Sequence, residues 1–361
     1  MKIIQLLPTM SFGDAVSNDT AALRALMEEM GYPSEIYAEN IDPRLMKHKI
    51  YHVKDIPPLK NEDLLIYHLS TGTELNNTVQ NFRCRKVMFY HNITPPAYFA
   101  PYNRDLEELC LSGLQGMIHL RNSFETVVAD SEFNRQNLLD AGYTSHIHVA
   151  PILIPFKDYE QKPDPEIVKR YSDGHHNILF VGRIAPNKKQ EDVIRAFHCY
   201  QLNYDPQARL FLIGSFGGMD SYLEKLKRYT CELGIEEKVI FSGHISFQQI
   251  LAYYHVADAF LCMSEHEGFC VPLIEAMYFK VPIIARRMCA VPETLGSAGL
   301  ILEDNRPEPA AEALHQVLTQ PVLRKQLQAA CSERLKDFSY EKVSAHIKKI
   351  LLPLIEKKGK V

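Results

Sequence analysis

Residues 151–176 read PILIPFKDYEQKPDPEIVKRYSDGHH, a stretch rich in proline and charge that interrupts a regular alternation of short apolar strands and amphipathic helices. Before it, Lys2–Leu7, Leu64–Tyr67, Lys86–Tyr90 and Thr126–Ala129 read as strands, with helices near Asp19–Met30, Arg104–Leu120 and Glu132–Ala141. After it the pattern starts afresh. Asn177–Val181, Arg209–Ile213, Lys238–Ser242, Ala259–Met263 and Pro282–Ala285 read as strands, separated by helices near Glu191–Leu202, Asp220–Leu233, Ser246–His255 and Pro272–Phe279. Apolar strands alternating with helices are the signature of parallel sheets covered on both faces. The fold class is therefore α/β, with two Rossmann-like, doubly wound domains facing a central cleft. The boundaries expected are 1–155 for the first domain and 156–339 for the second.

A chain of 361 residues is longer than one core usually sustains, which agrees with two domains. No apolar run approaches the roughly 18 residues of a membrane-spanning helix. The opening MKIIQLLPTM lacks the apolar stretch and cleavage site of a secretion signal, so a cytoplasmic location is expected. Eight cysteines stand scattered without a C-x-x-C pair and read as reduced, structural thiols, neither disulfides nor zinc ligands. Net charge is −4, and residues 1–155 hold 13 Lys and Arg against 18 Asp and Glu, so no basic surface for nucleic acid is expected there. The basic, apolar segment Lys348–Lys358 could touch an anionic membrane peripherally, although the same pattern suits a solvated last helix.

The chemistry concentrates in Ser264–Met277, SEHEGFCVPLIEAM, which leaves the strand ending near Met263 and enters a helix with Pro272 in its first turn. Backbone N–H groups of Gly268, Phe269, Cys270 and Val271 at a helix N-terminus suit a diphosphate. Glu267 and Glu275 are carboxylates placed to accept from hydroxyls on different parts of an elongated ligand. Taken alone, that spacing also describes an ordinary helix start decorated with acids. The second element, Val181–Lys189 (VGRIAPNKK), follows the first strand of the second domain, and its Arg183 and Lys188 could clamp a diphosphate as a glycosidic bond breaks.

GRIAPNKK and EGFCVPLIEAM, in this order with VIFSGHISFQQILAYYHVADAFLCMSEHEG between them, resemble the retaining glycosyltransferase family 4, of GT-B fold. The resemblance covers essentially the whole second domain and is looser in the first. It implies that Arg183 and Lys188 grip the donor diphosphate, Glu267 contacts the transferred sugar and Glu275 holds the ribose. His244 and Ile245 would lie against the base, and Gly214 would let the ligand pass close to the backbone. In the first domain it implies that Gly13 and Asp14 lie near the reacting sugar, and that His91 binds the donor sugar and assists charge development. Ser131 would cap a helix, and the loop His68–Gly72 could meet donor or acceptor. The last helix, about 340–361, would pack back on the first domain, and the lobes would close about the 151–176 linker. Lys189 and Lys280 stand where the family commonly has glycine, which at 280 suggests a different turn.

No Asp-x-Asp pair occurs in the chain, so metal-independent transfer is expected, with no metal site and no cofactor beyond the nucleotide diphosphate sugar donor. The resemblance implies hexosyl transfer from GDP-mannose or a UDP-hexose to a glycan or lipid-linked acceptor hydroxyl. It favours retention by front-face attack over a glycosyl-enzyme intermediate, for which Asp14 would be the group to test. Two competing readings are a sugar-nucleotide epimerase on the same scaffold and a nucleotide-sugar-binding protein without turnover.

Overall fold

The computed structural model describes residues 1–45 and 48–356. The chain divides into two compact units. The first comprises residues 1–96, 105–155 and the closing segment from Phe338, and the second comprises 97–104 and 156–337. The basic end of the chain, residues 357–361, lies outside the described residues.

In the first unit β1 (Ile3–Met10), β2 (Ser34–Ile41), β3 (Ile50–His52), β4 (Leu64–Leu69), β5 (Arg85–Tyr90), β6 (Thr126–Ala129) and β7 (Ile147–Val149) form one sheet in the order β3-β2-β1-β4-β5-β6-β7. In the second, β8 (Asn177–Val181), β9 (Arg209–Ile213), β10 (Val239–Gly243), β11 (Ala259–Cys262), β12 (Ile283–Arg286) and β13 (Gly299–Leu302) run β10-β9-β8-β11-β12-β13. Pairing between these strands is parallel throughout. Helices cover such sheets on both faces, so central strands can be apolar along their whole length, and every residue of β4 is buried.

Four strands escaped the sequence reading: β2, β3, β7 and β13. All are edge or next-to-edge strands. β2, SEIYAENI, mixes charge into its apolar pattern because part of it stays exposed. The first helix starts at Ala15, four residues before the expected Asp19, because Asp14 caps it by accepting from Ser17 N–H at 3.0 Å. The stretch 151–176, read as lacking regular structure, holds a short 3-10 turn at Phe156–Glu160 and a helix at Pro165–Tyr171 capped by Asp164.

The last helix, Tyr340–Glu356, places Val343, Ile347, Ile350, Leu351 and Leu354 on one face at helical spacing. These side chains enter the core of the first unit beside Ile3, Leu23, Leu64 and Val87. Among the described residues no helix is long and apolar enough to cross a membrane.

Candidate active site

The second sheet reverses its strand order between β8 and β11, so the loops leaving their carboxyl ends diverge, which is where open α/β sheets bind ligands. The loop after β8 carries Arg183 and Lys188; the loop after β11 carries Glu265, Glu267 and Cys270. Buried Asn187 ties the two together. Its carbonyl accepts from Glu265 N–H at 2.9 Å, and its side-chain amide donates to the His266 carbonyl at 3.2 Å.

Across this joint Lys188 Nζ stands 2.7 Å from Glu267 Oε2. Glu265 pairs with Lys189 and with Arg286, each at 3.1 Å. Three cations against two carboxylates leave an excess of positive charge, to which the exposed Arg183 adds. Burial pulls the Lys188 ammonium down, yet the Glu267 carboxylate and its other neighbours leave it above the usual lysine value, so it is charged at neutral pH. His266 is pushed down to about 4 by burial and by Lys188, and stays neutral. Arg183 reaches from the end of β8 to the Gly217 carbonyl, at 2.8 Å.

The helix Val271–Tyr278 begins with Pro272 in its first turn, and Cys270 before it contributes no side-chain cap. Gly268, Phe269, Cys270 and Val271 thus lie at a helix N-terminus, the arrangement that suits an anion. Thr294 fixes the approach by donating to the Phe269 carbonyl at 2.6 Å. Cys270 adopts φ 71°, and Lys189 and Lys280 adopt φ 51° and 55°. The two lysines therefore keep the left-handed conformation that glycine takes most easily, and the different turn expected at Lys280 does not occur.

Glu275, expected to hold a ribose, already accepts from two protein hydroxyls, Tyr254 at 2.7 Å and Tyr159 at 3.1 Å. Burial pushes its carboxyl above the usual range, against those two hydrogen bonds. A carboxylate offers about four acceptor sites, and these hydroxyls take two of them. A Cβ at Gly214 would lie 2.1 Å from the Gly182 carbonyl oxygen, so the missing side chain permits a close approach to the end of β8. His244 is exposed just beyond β10, and Ile245 packs partly into the core of the second unit.

In the first unit, adjacent strands contribute one continuous buried hydrogen-bond chain. His91, after β5, meets Asp130 Oδ2 through Nδ1 at 3.0 Å and His68 Nδ1 through Nε2 at 2.9 Å. His68 Nε2 then meets Gln5 Oε1 at 3.0 Å, and Gln5 Nε2 donates to Ser34 Oγ at 3.3 Å. Burial disfavours a charged His91, but Asp130 and the nearby Asp19 and Asp14 raise it to about 9. Burial holds His68 far below its usual value. The tautomers follow: cationic His91 donates from both nitrogens, and neutral His68 accepts at Nδ1 and donates from Nε2.

The His91 side chain is 1% exposed, and both its ring nitrogens are engaged by Asp130 and His68. In the loop His68–Gly72, His68 is fully buried, whereas Ser70 and Thr71 are half-buried. Gly13 takes φ 75° at the turn into the first helix, and Asp14 spends one carboxylate oxygen on the Ser17 N–H and hydroxyl, both at 3.0 Å. Ser131 caps the helix Glu132–Asp140 through Asn134 N–H at 3.1 Å. Asp130, Asp19 and Tyr159 escaped the sequence reading. Asp19 accepts from Leu153 N–H at 2.8 Å, and burial raises it to about 7.

The parallel two-unit architecture is GT-B. Residues 166–334 match the family model described as Glycosyl transferases group 1, a segment that holds β8 to β13 and the paired loops. Among curated proteins, the chain is 25% identical over 226 residues to O-antigen chain mannosyltransferase B of Escherichia coli, covering 61% of this chain and 58% of that protein. It is 28% identical over 171 residues to the GDP-mannose-dependent alpha-(1-6)-phosphatidylinositol monomannoside mannosyltransferase of Mycobacterium tuberculosis, covering 44% of this chain and 43% of that protein. The chain thus spans about half the length of the curated relatives it matches. Its fold is shared with Anabaena Alr3699/HepE, solved in complex with UDP and glucose, at a TM-score of 0.75 and 17% identity over 98% of this chain and 100% of that one.

Proposed function

We propose that this chain is a retaining, metal-independent glycosyltransferase that moves a hexosyl group from a nucleotide diphosphate sugar to an acceptor hydroxyl. The observation that carries the reading is the Lys188–Glu267 pair at the β8/β11 switch point, flanked by Arg183 and a helix N-terminus. A carboxylate for sugar hydroxyls and cations for a diphosphate are the two things such a donor requires.

In this reading Arg183 and Lys188 hold the diphosphate and stabilise the charge that grows on it as the C1–O bond breaks. Glu267 accepts from the hexose hydroxyls. Attack comes from the face the phosphate leaves: the acceptor oxygen bonds to C1, and its proton passes to the departing phosphate oxygen. The chain's contribution is then charge and orientation, with no enzyme nucleophile; Asp14, the group weighed for that role, is engaged as a helix cap.

GDP-mannose is our first choice of donor, supported by the names of the two mannosyltransferase relatives, and a UDP-hexose is the second, supported by the UDP complex of the structural neighbour. A glycan or lipid-linked acceptor is inferred from the same relatives. We place the protein in the cytoplasm, in keeping with its eight free cysteines, with peripheral membrane contact as part of the proposal.

The test is turnover of UDP-, GDP- and ADP-sugars in EDTA by wild type, Glu267→Ala and Arg183→Ala. Release of nucleoside diphosphate from one donor, lost in both variants, is the expected result. Tight binding without release, with varied glycan acceptors present, would instead indicate a nucleotide-sugar sensor.

A further inference from the structure

Sugar transfer leaves the thiols of Cys262 and Cys270 without a role. Cys262 ends β11 and Cys270 precedes the helix Val271–Tyr278, so a strand end and a helix start bring them together across the loop that carries Glu267. The two sulfurs and a Glu267 carboxylate oxygen lie within 4.8 Å of one another. All three residues are buried, at 2%, 6% and 8% exposure. Cys270 moreover occupies the left-handed region at φ 71°.

We propose that Cys262, Glu267 and Cys270 form a binding site for a thiophilic divalent cation of the zinc class, held by two thiolates and one carboxylate oxygen. Zinc takes sulfur at about 2.3 Å and carboxylate oxygen at about 2.0–2.2 Å, which in a tetrahedron separates the donors by roughly 3.5–3.8 Å. The three donors, all within 4.8 Å of one another, lie near that spacing. Binding releases the two thiol protons to solvent. Two thiolates, a carboxylate and a divalent cation sum to one negative charge, which the ammonium of Lys188, 2.7 Å from Glu267, neutralises.

Asp19, His68 and His91 also converge within 4.8 Å, but their chemistry differs. There the imidazoles bond to each other and to Gln5 and Asp130 in a complete chain, and a metal would have to break it. Thiolates and a carboxylate oxygen are instead each ligands that zinc accepts, and the thiolates select for a soft metal. One consequence rests on the transferase reading: a cation on Glu267 competes with the donor sugar for the same carboxylate, so the site inhibits transfer and takes no part in it.

The experiment is an anaerobic titration of the reduced full chain, freed of reductant and nucleotide, with Co2+. One equivalent per chain is expected to produce a sulfur-to-cobalt charge-transfer band in the near ultraviolet, bleached on adding Zn2+. Cys262→Ser or Cys270→Ser should roughly halve that intensity, the double variant should abolish it, and Cys289→Ser should leave it unchanged. Absence of the band at saturating Co2+, or its persistence in the double variant, overturns the proposal. Because the variants could misfold, wild type is also alkylated with and without Zn2+ and its peptides mapped by mass. Selective protection of Cys262 and Cys270 supports the site; equal labelling, or a Cys262–Cys270 disulfide in place of metal, sinks it. The spectrum is read without a sugar donor, so failure of the transferase reading and failure of the metal site are separate outcomes.

Discussion

The Tyr159 hydroxyl donates to Glu275 Oε1 at 3.1 Å, across 116 residues of sequence. Tyr159 lies in the proline-rich stretch from which a hinge was expected, yet it is buried within the second unit among Phe156, Tyr278 and Phe279. The segment from Phe156 onward is therefore part of that unit's packing, and it helps to orient a carboxylate of the candidate site.

Removing either hydroxyl leaves Glu275 buried with one partner fewer. Tyr254→Phe and Tyr159→Phe are each expected to cost roughly 1.5–3 kcal/mol, the value of a hydrogen bond to a charged group. The Glu275 carboxyl lies above its ordinary value when folded, so its contribution is present below that ordinary value and is lost as pH rises through the raised one. Fewer hydrogen bonds raise it further. Thermal melts should show either variant losing more at pH 7.5 than at pH 5; equal losses would contradict the coupling.

His91 is cationic because Asp130 and its acidic neighbours outweigh burial, raising it to about 9. A raised value means that this stabilisation is complete below the ordinary histidine value and disappears as pH rises through about 9. Asp130→Asn removes the leading acidic partner. Its His91 resonance, followed by NMR, should titrate well below that of wild type, with roughly 3 kcal/mol or less of stability lost near pH 7. An unshifted titration would mean that Asp130 does not hold the charge.

For Lys188, which faces the proposed diphosphate, Lys188→Met should lower single-turnover transfer by about 100-fold or more. Combining it with Glu267→Gln should cost much less than the two separate losses multiplied, because the residues act as a pair. Fully multiplicative losses would show that the contact at 2.7 Å has no functional counterpart.

The closing helix supplies a face of the first unit's core, so Leu351→Ala should destabilise by about 2–5 kcal/mol. Ending the chain after Lys342 should destabilise the first unit more severely still. An unchanged melting temperature in the truncated protein would refute this account of the helix.

Lys280 follows a helix in a left-handed conformation that glycine adopts without strain. Lys280→Gly should therefore raise stability, by up to about 1 kcal/mol, with no change in the helix that carries Glu275. A fall in melting temperature would show that its side chain contributes more than the strain costs.

The central strands and the loops after β8 and β11 were legible in sequence because each is a local pattern. Ile178–Val181 and Leu210–Ile213 are continuous apolar runs, buried except for part of Val181, and GRIAPNKK and EGFCVPLIEAM are compact motifs. The edge strands β3, β7 and β13 and the next-to-edge β2 were not legible, since partial exposure dilutes their apolar signal. What Arg183, Lys188 and Glu267 could do followed from residue type and order. What His91 and Glu275 do depended on partners that local spacing does not reveal. Asp130 meets His91 from the next strand, His68 meets it from the strand on the other side, and Tyr159 reaches Glu275 from a segment with no motif. By itself the sequence determined two parallel-sheet domains and the two motif-bearing loops after β8 and β11 that form the candidate site. Tertiary structure decided which of those polar groups remain open to a ligand, because in a buried setting each donor and acceptor takes whatever partner the packing brings within reach.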